Sequence, residues 1–167
     1  QFTALGGVAM GLKHSVRSLD HLEELSEADL AAWKECIATD ASPVFACALP
    51  GCSYFLGIPF TPVRELMGAD VPVALATDYN PGSSPSGNMS RVVQMAMVKM
   101  KMRPLEAIAA ATINGAAAMG LQKVAGVIAP GRAANLILTR PMDGLESMGY
   151  SFGEEPVEKV FVDGVQL

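Results

Sequence analysis

Val73-Ala74-Leu75-Ala76-Thr77-Asp78-Tyr79-Asn80-Pro81-Gly82-Ser83 is the stretch that decides how the rest of the chain is read. A run of small and branched apolar residues stops at a lone carboxylate, Asp78, and turns at once into polar, turn-forming sequence. Such a run fits a strand buried on both faces, as in a parallel sheet, and that kind of strand does not hold a charge at its centre. At its carboxyl end, where the strand opens into a loop, a carboxylate can serve as a metal ligand or a general base. An Asp in the same place can also simply cap the following turn. Residues 73–83 alone leave both readings open.

Outward from this strand, helical and extended patterns alternate. Upstream, residues 2–13 have helical apolar spacing at Phe2, Leu5, Val8 and Leu12, and residues 15–19 predict a short strand ending at Asp20-His21. Ser26-Glu27-Ala28-Asp29 resembles a capping box that opens a helix through Leu30, Trp33 and Ile37. A second strand is expected at 43–49, then a Pro50-Gly51 loop, a short helix at 63–67 and the strand 71–77. Downstream, Met89, Val92, Val93, Ala96, Met97 and Met100 share one stripe of a helix expected from 86 to 102, with the methionines read as core filler. Pro104 can open another helix, and 113–119 continues in helical pattern. Strands alternating with helices at this spacing predict βα units and a parallel sheet. After Gly120 the character changes to β-branched segments at Val127-Ile128, Leu136–Leu138 and Val160–Val162, with Asp163-Gly164 as a hairpin turn. The expected division is therefore 1–121 as the α/β part and 122–167 as a small β-module.

Composition narrows the function classes. The chain has 167 residues, half of them hydrophobic and 17% charged, which excludes disorder and supports a sizeable core. No apolar run approaches the roughly 18 residues of a membrane span, so no membrane partner is expected. A net charge of −5 without a Lys/Arg cluster argues against nucleic acid as a partner. Cys36, Cys47 and Cys52 are odd in number and lack zinc-type spacing, which predicts reduced thiols and a cytoplasmic location. The start at Gln1, without a signal peptide, gives the expectation of a piece of a longer protein.

Chemistry is expected where the three strands end. The first delivers His21, the second the Pro50-Gly51 loop and Cys52, the third Asp78 and Asn80. In a (β/α) barrel all carboxyl ends open at one mouth, so His21 and Asp78 can share a site. Taken alone, His21 reads more simply as a polar residue beginning a loop. Asp20 alternates with His21 along the strand and is expected to face elsewhere, and His14 is expected at the surface. Asn80, Gly82 and Ser83 could hold a polar substrate or a developing oxyanion, or form an ordinary turn. There is no phosphate-binding glycine motif and no Gly-x-Ser-x-Gly elbow, and Cys52 has no base predicted beside it.

Four segments then carry a family resemblance that runs nearly end to end. Residues 75–85, Leu-Ala-Thr-Asp-Tyr-Asn-Pro-Gly-Ser-Ser-Pro, resemble the eighth-strand signature of the imidazolonepropionase family, within the metal-dependent amidohydrolase superfamily. Asp20-His21-Leu22-Glu23 resembles the sixth-strand motif, and Ala111–Ala117 with Gly120-Leu121 the post-barrel helix. Gly126–Leu136 is similar to the superfamily's return into its β-domain, with Asn135 where Asp is usual. The resemblance implies the carboxyl-terminal part of a TIM (β/α)8 barrel, about its last three strands, followed by part of a small β-sandwich domain. It implies hydrolysis of the cyclic amide 4-imidazolone-5-propanoate to N-formimidoyl-L-glutamate in histidine degradation, with one divalent metal, Zn or Fe, per site. Asp78 would be both metal ligand and proton shuttle, and His21 would polarise the substrate or orient the water. Asn80, Gly82 and Ser83 would contact substrate, with Ser83 where the family usually has Thr. The family's first-strand His-x-His pair, its fifth-strand histidine and its substrate-binding Arg and Tyr have no counterpart in these residues. A barrel takes about 250 residues. The expected partners are accordingly the remaining amino-terminal half of the barrel and a small-molecule substrate, with a homodimer also compatible. The fragment alone is expected to be inactive. Other cyclic-amide amidohydrolases of the hydantoinase or deaminase type, or a non-catalytic module, are the competing readings.

Overall fold

A computed structural model describes residues 1–39 and 43–167. The elements run α1 (Gly7–Lys13), β1 (Ser18–Asp20), α2 (Glu27–Ala38), β2 (Phe45–Ala48), α3 (Pro50–Leu56), α4 (Val63–Gly68) and β3 (Val73–Leu75). They continue as α5 (Met89–Val98), α6 (Pro104–Ala111), α7 (Ile113–Ala118), β4 (Leu136–Thr139), α8 (Ser147–Tyr150), β5 (Val157–Val162) and β6 (Val165–Gln166).

The first three strands form one parallel sheet in chain order, with Asp20 opposite Cys47 and Cys47 opposite Ala74. Consecutive parallel neighbours linked by helices are the repeating unit of a (β/α) barrel, and the carboxyl ends of all three strands point the same way. Pleating divides the sheet into two faces. Ala46, Ala48, Val73 and Leu75 join the core against the helices, where Trp33, Leu66 and Val92 are almost fully buried. Asp20, Cys47 and Ala74 lie on the other face.

Local chemistry explains several boundaries. Ser26 forms a reciprocal capping box with Asp29: Ser26 Oγ accepts the Asp29 N–H at 3.1 Å, and Asp29 Oδ2 accepts the Ser26 N–H at 3.0 Å. Pro104 occupies the first turn of α6, and Glu106 reaches back to accept the Arg103 N–H at 2.7 Å. Asn88 caps α5 by accepting the Arg91 N–H.

Other boundaries depart from the pattern. Helix α1 begins only at Gly7, because Gly6 is left-handed, and Phe2 and Leu5 lie exposed outside it. Pro50-Gly51 is not a loop but the first turn of α3, since proline's fixed φ and missing N–H suit a helix start. Helix α5 is shorter than its stripe, although Met100 and Met102 still pack into the core beyond its end.

The tail forms a separate antiparallel sheet, β4-β5-β6. Asp163 and Gly164 both have positive φ (49° and 81°), the type I′ geometry that joins Val162 to Val165. Asn135 Oδ1 accepts the Asp163 N–H at 2.9 Å, a bond that an Asp oxygen could accept equally well. Val127-Ile128 is not a strand: an extended segment needs a ladder partner, and Ile128 is 89% exposed. Just before it, Gly126 (φ 93°) crosses α7 so closely that a Cβ would lie 2.8 Å from the Ala116 Cβ.

The tail is fastened to the α/β part by polar groups. The buried Gln94 side chain of α5 donates to the Glu154 carbonyl at 2.8 Å and accepts the Gly153 N–H at 3.1 Å. Glu155 accepts from Asn88 and Ser90, both at 2.8 Å. No helix among the described residues is long and apolar enough to cross a membrane.

Candidate functional site

Each of the three parallel strands ends in an unusual conformation or contact. At the end of β1, His21 and Leu22 are both left-handed (φ 72° and 69°), and after β3 so is Asp78 (φ 52°). Non-glycine residues held there cost on the order of 1–3 kcal/mol each and concentrate at functional sites. The His21 backbone is pinned on two sides. Its N–H donates to the Cys47 carbonyl at 3.0 Å, and its carbonyl accepts from the buried Thr61 hydroxyl.

These turns bring His21, Asp78 and Cys52 together. One ligand-type atom from each lies within 4.8 Å of the other two, across three different strand ends. His21 and Asp78 were expected to meet. Cys52, in the first turn of α3, joins them because α3 starts directly at the end of β2 rather than after a loop. Its buried Sγ accepts from Gln1 Nε2 at 3.1 Å. Burial pushes the Cys52 thiol up, with the Asp78 and Glu23 carboxyl groups adding to the rise and a hydrogen bond from Ser83 opposing it. Of the three, the Asp78 carboxylate is the anionic oxygen donor, a ligand type that zinc and iron both accept.

Glu23 also belongs to the site. Its side chain is completely buried, with Oε1 at 3.4 Å from His21 Nδ1 and accepting the Ser53 hydroxyl at 3.2 Å. Its sequence signals were its place in the Asp20-His21-Leu22-Glu23 motif and its spacing of two from His21, and a strand pattern would have turned it to the same side only if the chain had stayed extended.

The loop after Asp78 is internally braced. The Asn80 amide donates to the Asp78 carbonyl at 2.6 Å, and its Oδ1 accepts the Gly82 and Ser83 N–H groups at 2.9 and 2.8 Å. The Ser83 hydroxyl lies 3.1 Å from Asn80 Nδ2, and the buried Ser84 hydroxyl donates to the Thr77 carbonyl at 2.6 Å. Asn80, Gly82 and Ser83 thus all stand beside Asp78, but the Asn80 side chain is occupied in holding the loop. Asp20 and His14 are exposed and outside the cluster, as expected. Asp20 instead faces Cys47: burial, reinforced by this neighbouring carboxylate, pushes that thiol up to about 12.

Comparisons with known proteins bear on the family and the fold. The chain is 52% identical to an imidazolonepropionase of Flavobacterium johnsoniae over 164 residues, 98% of this chain and 38% of that protein. It is 49% identical to an imidazolonepropionase of Flavobacterium psychrophilum, with the same coverage. The chain therefore spans well under half the length of the curated relatives it matches. Among solved structures, an adenosine deaminase from Xanthomonas campestris with bound zinc superposes with a TM-score of 0.75 at 24% identity, over 89% of this chain and 36% of that one. That likeness shows the fold, a portion of a (β/α) barrel. The sequence pattern of the amidohydrolase family matches residues 56–167, which hold the Asp78 loop, the post-barrel helices and the β-tail. With the family's fold and its pattern on the same residues, the chain belongs to the amidohydrolase family.

Proposed function

We propose that this chain is the carboxyl-terminal part of an imidazolonepropionase, which hydrolyses 4-imidazolone-5-propanoate to N-formimidoyl-L-glutamate. The observation that carries the reading is identity near 50% to imidazolonepropionases across almost the whole chain. The residues converging at the strand ends supply the required chemistry. In this reaction the oxygen of water adds to the ring carbonyl carbon, the C–N bond of the cyclic amide breaks, and the leaving nitrogen takes a proton.

In this reading Asp78 accepts the proton of the attacking water and returns it to the departing nitrogen. A divalent zinc or iron ion, held by Asp78 with histidines lying outside these residues, would supply a water acidic enough to lose that proton near neutral pH. His21, with a ring nitrogen within 4.8 Å of an Asp78 oxygen, hydrogen-bonds the carbonyl oxygen in this reading as charge develops there. Asn80 fixes the loop that carries Asp78 through its bonds to the Asp78 carbonyl and the Gly82 and Ser83 N–H groups, and in this reading that loop forms the rim that meets the substrate. The walls contributed by the rest of the barrel complete the cavity, and the chain alone is inactive.

The test is the complete enzyme carrying this chain, assayed for loss of imidazolonepropionate with its metal content measured in parallel. The wild-type enzyme turns over, whereas Asp78→Asn loses turnover by about a thousandfold or more, as expected for a group that both anchors the ion and moves the proton. A fully metal-loaded wild-type enzyme without this activity would refute the substrate assignment.

A further inference from the structure

Glu23 is the one completely buried carboxyl group whose second oxygen, Oε2, finds no hydrogen-bond partner among the described residues. Burying such a group costs several kcal/mol, and unsatisfied buried polar atoms in native proteins call for a functional explanation. Its polar contacts are with His21 Nδ1 and with the hydroxyl of Ser53, which is itself only 1% exposed and follows Cys52 in α3. The chain reaches this arrangement through two successive left-handed residues, His21 and Leu22, with the Glu23 carboxyl group at the Nδ1 edge of the imidazole. Two left-handed residues and one buried acid therefore accompany the contact to Nδ1.

An imidazole with its Nδ1–H directed at a carboxyl oxygen has its tautomer chosen for it, with Nε2 left as the working nitrogen. The 3.4 Å separation lies at the long end of the hydrogen-bond range, as pairs of this kind commonly do before substrate closes the site. We infer that Glu23 is the positioning residue of His21: it holds the Nδ1–H tautomer and ring orientation, so that Nε2 is presented to the substrate carbonyl. Ser53 fixes the carboxyl group in turn. This deepens the hydrolase reading above, and its kinetic arm rests on that reading.

The test uses the complete, metal-loaded enzyme in two measurements. With 15N-labelled histidine, and His21→Ala to identify the signal, wild-type His21 shows the Nδ1–H tautomer, whereas Glu23→Ala shifts it toward the Nε2–H form. In turnover of imidazolonepropionate, Glu23→Gln and Glu23→Ala lower kcat by about 10- to 100-fold while KM stays within about twofold and metal content is unchanged, the scale seen when the outer partner of an oriented histidine is removed. Glu23→Gln is nearly isosteric and carries the kinetic measurement if Glu23→Ala does not fold. The inference is overturned if kcat in Glu23→Gln stays within about twofold of wild type, if KM rises at constant kcat, or if the tautomer is unchanged in Glu23→Ala. Should the wild-type enzyme fail to hydrolyse imidazolonepropionate, the substrate reading falls, and the tautomer of His21 still decides the role of Glu23.

Discussion

Replacing Gly51 by alanine tests whether the Asp78 loop is set by its contact with α3. A Cβ at residue 51 would stand 2.9 Å from Ser84 Oγ, 3.5 Å from the Thr77 carbonyl oxygen and 4.0 Å from Met95 Cε. Only the first of these is too close. The Ser84 hydroxyl cannot move freely, because it is buried and donates to the Thr77 carbonyl, one residue before Asp78. Gly51→Ala must therefore break or bend that bond, and water has little access to replace it. Loss of a buried hydrogen bond costs about 1–3 kcal/mol, and an ångström-scale shift of a catalytic group costs up to about a hundredfold in rate. Gly51→Ala and Ser84→Ala should then each lower kcat/KM of the complete enzyme by about 10- to 100-fold. The double variant is the decisive case. With Ser84 Oγ gone, the new methyl meets only ordinary contacts, and alanine in a helix gains about 0.5–1 kcal/mol over glycine. The double variant should be no worse than Ser84→Ala, a coupling of about 1.4–2.8 kcal/mol in the cycle. Effects that simply multiply, with coupling within about 0.5 kcal/mol of zero, would refute the steric reasoning.

Two further outcomes follow from the electrostatics. Burial alone would raise the Glu106 carboxyl, but hydrogen bonds from the Arg103 backbone and side chain and from Arg64 hold it below the usual carboxylate range. A depressed folded-state value means its contribution is present above the unfolded value near 4.5 and is lost as pH falls through the folded value. Glu106→Gln should cost only about 0.5–1 kcal/mol at pH 7, since both arginines are substantially exposed, and thermal unfolding should show that difference vanishing in acid. A deficit that persists well below pH 3 would contradict this assignment. Cys47, pushed up to about 12 by burial and by Asp20, has less than about one thiol in a thousand ionised at pH 8.5. Native labelling with iodoacetamide, read by peptide mass spectrometry, should therefore modify Cys36 well before Cys47, and equal rates would be the contrary result.

Legibility from sequence followed the range of the interactions involved. The capping box at Ser26 and Asp29, the proline start of α6 and the Asp163-Gly164 turn depend on residues within four positions of one another, and all three stand as their residue types dictate. The alternation of strands and helices gave the parallel sheet because burial on both faces leaves a continuous apolar run. Asp78 and His21 were readable as strand-end residues, and the direction of a parallel sheet brings such ends to one side. Val127-Ile128, by contrast, carries a strand's residue types without a strand's partner, and pattern alone cannot supply a ladder. Pro50-Gly51 fits a loop and a helix start equally well by composition, and packing against the Asp78 loop selected the helix.

By itself, then, the sequence determined the βα order, the carboxylate at the end of the third strand and the polar loop behind it. Each of these rests on local propensity or on the apolar period. Only the tertiary structure decided what surrounds Asp78. It placed Cys52 within 4.8 Å of His21 and Asp78, and it set Ser53 of α3 against the Glu23 carboxyl group that contacts the imidazole. The physical reason is that backbone turns at His21, Leu22 and Asp78 enter the left-handed region, which residues other than glycine seldom adopt. Only contacts from distant strands and helices hold residues there.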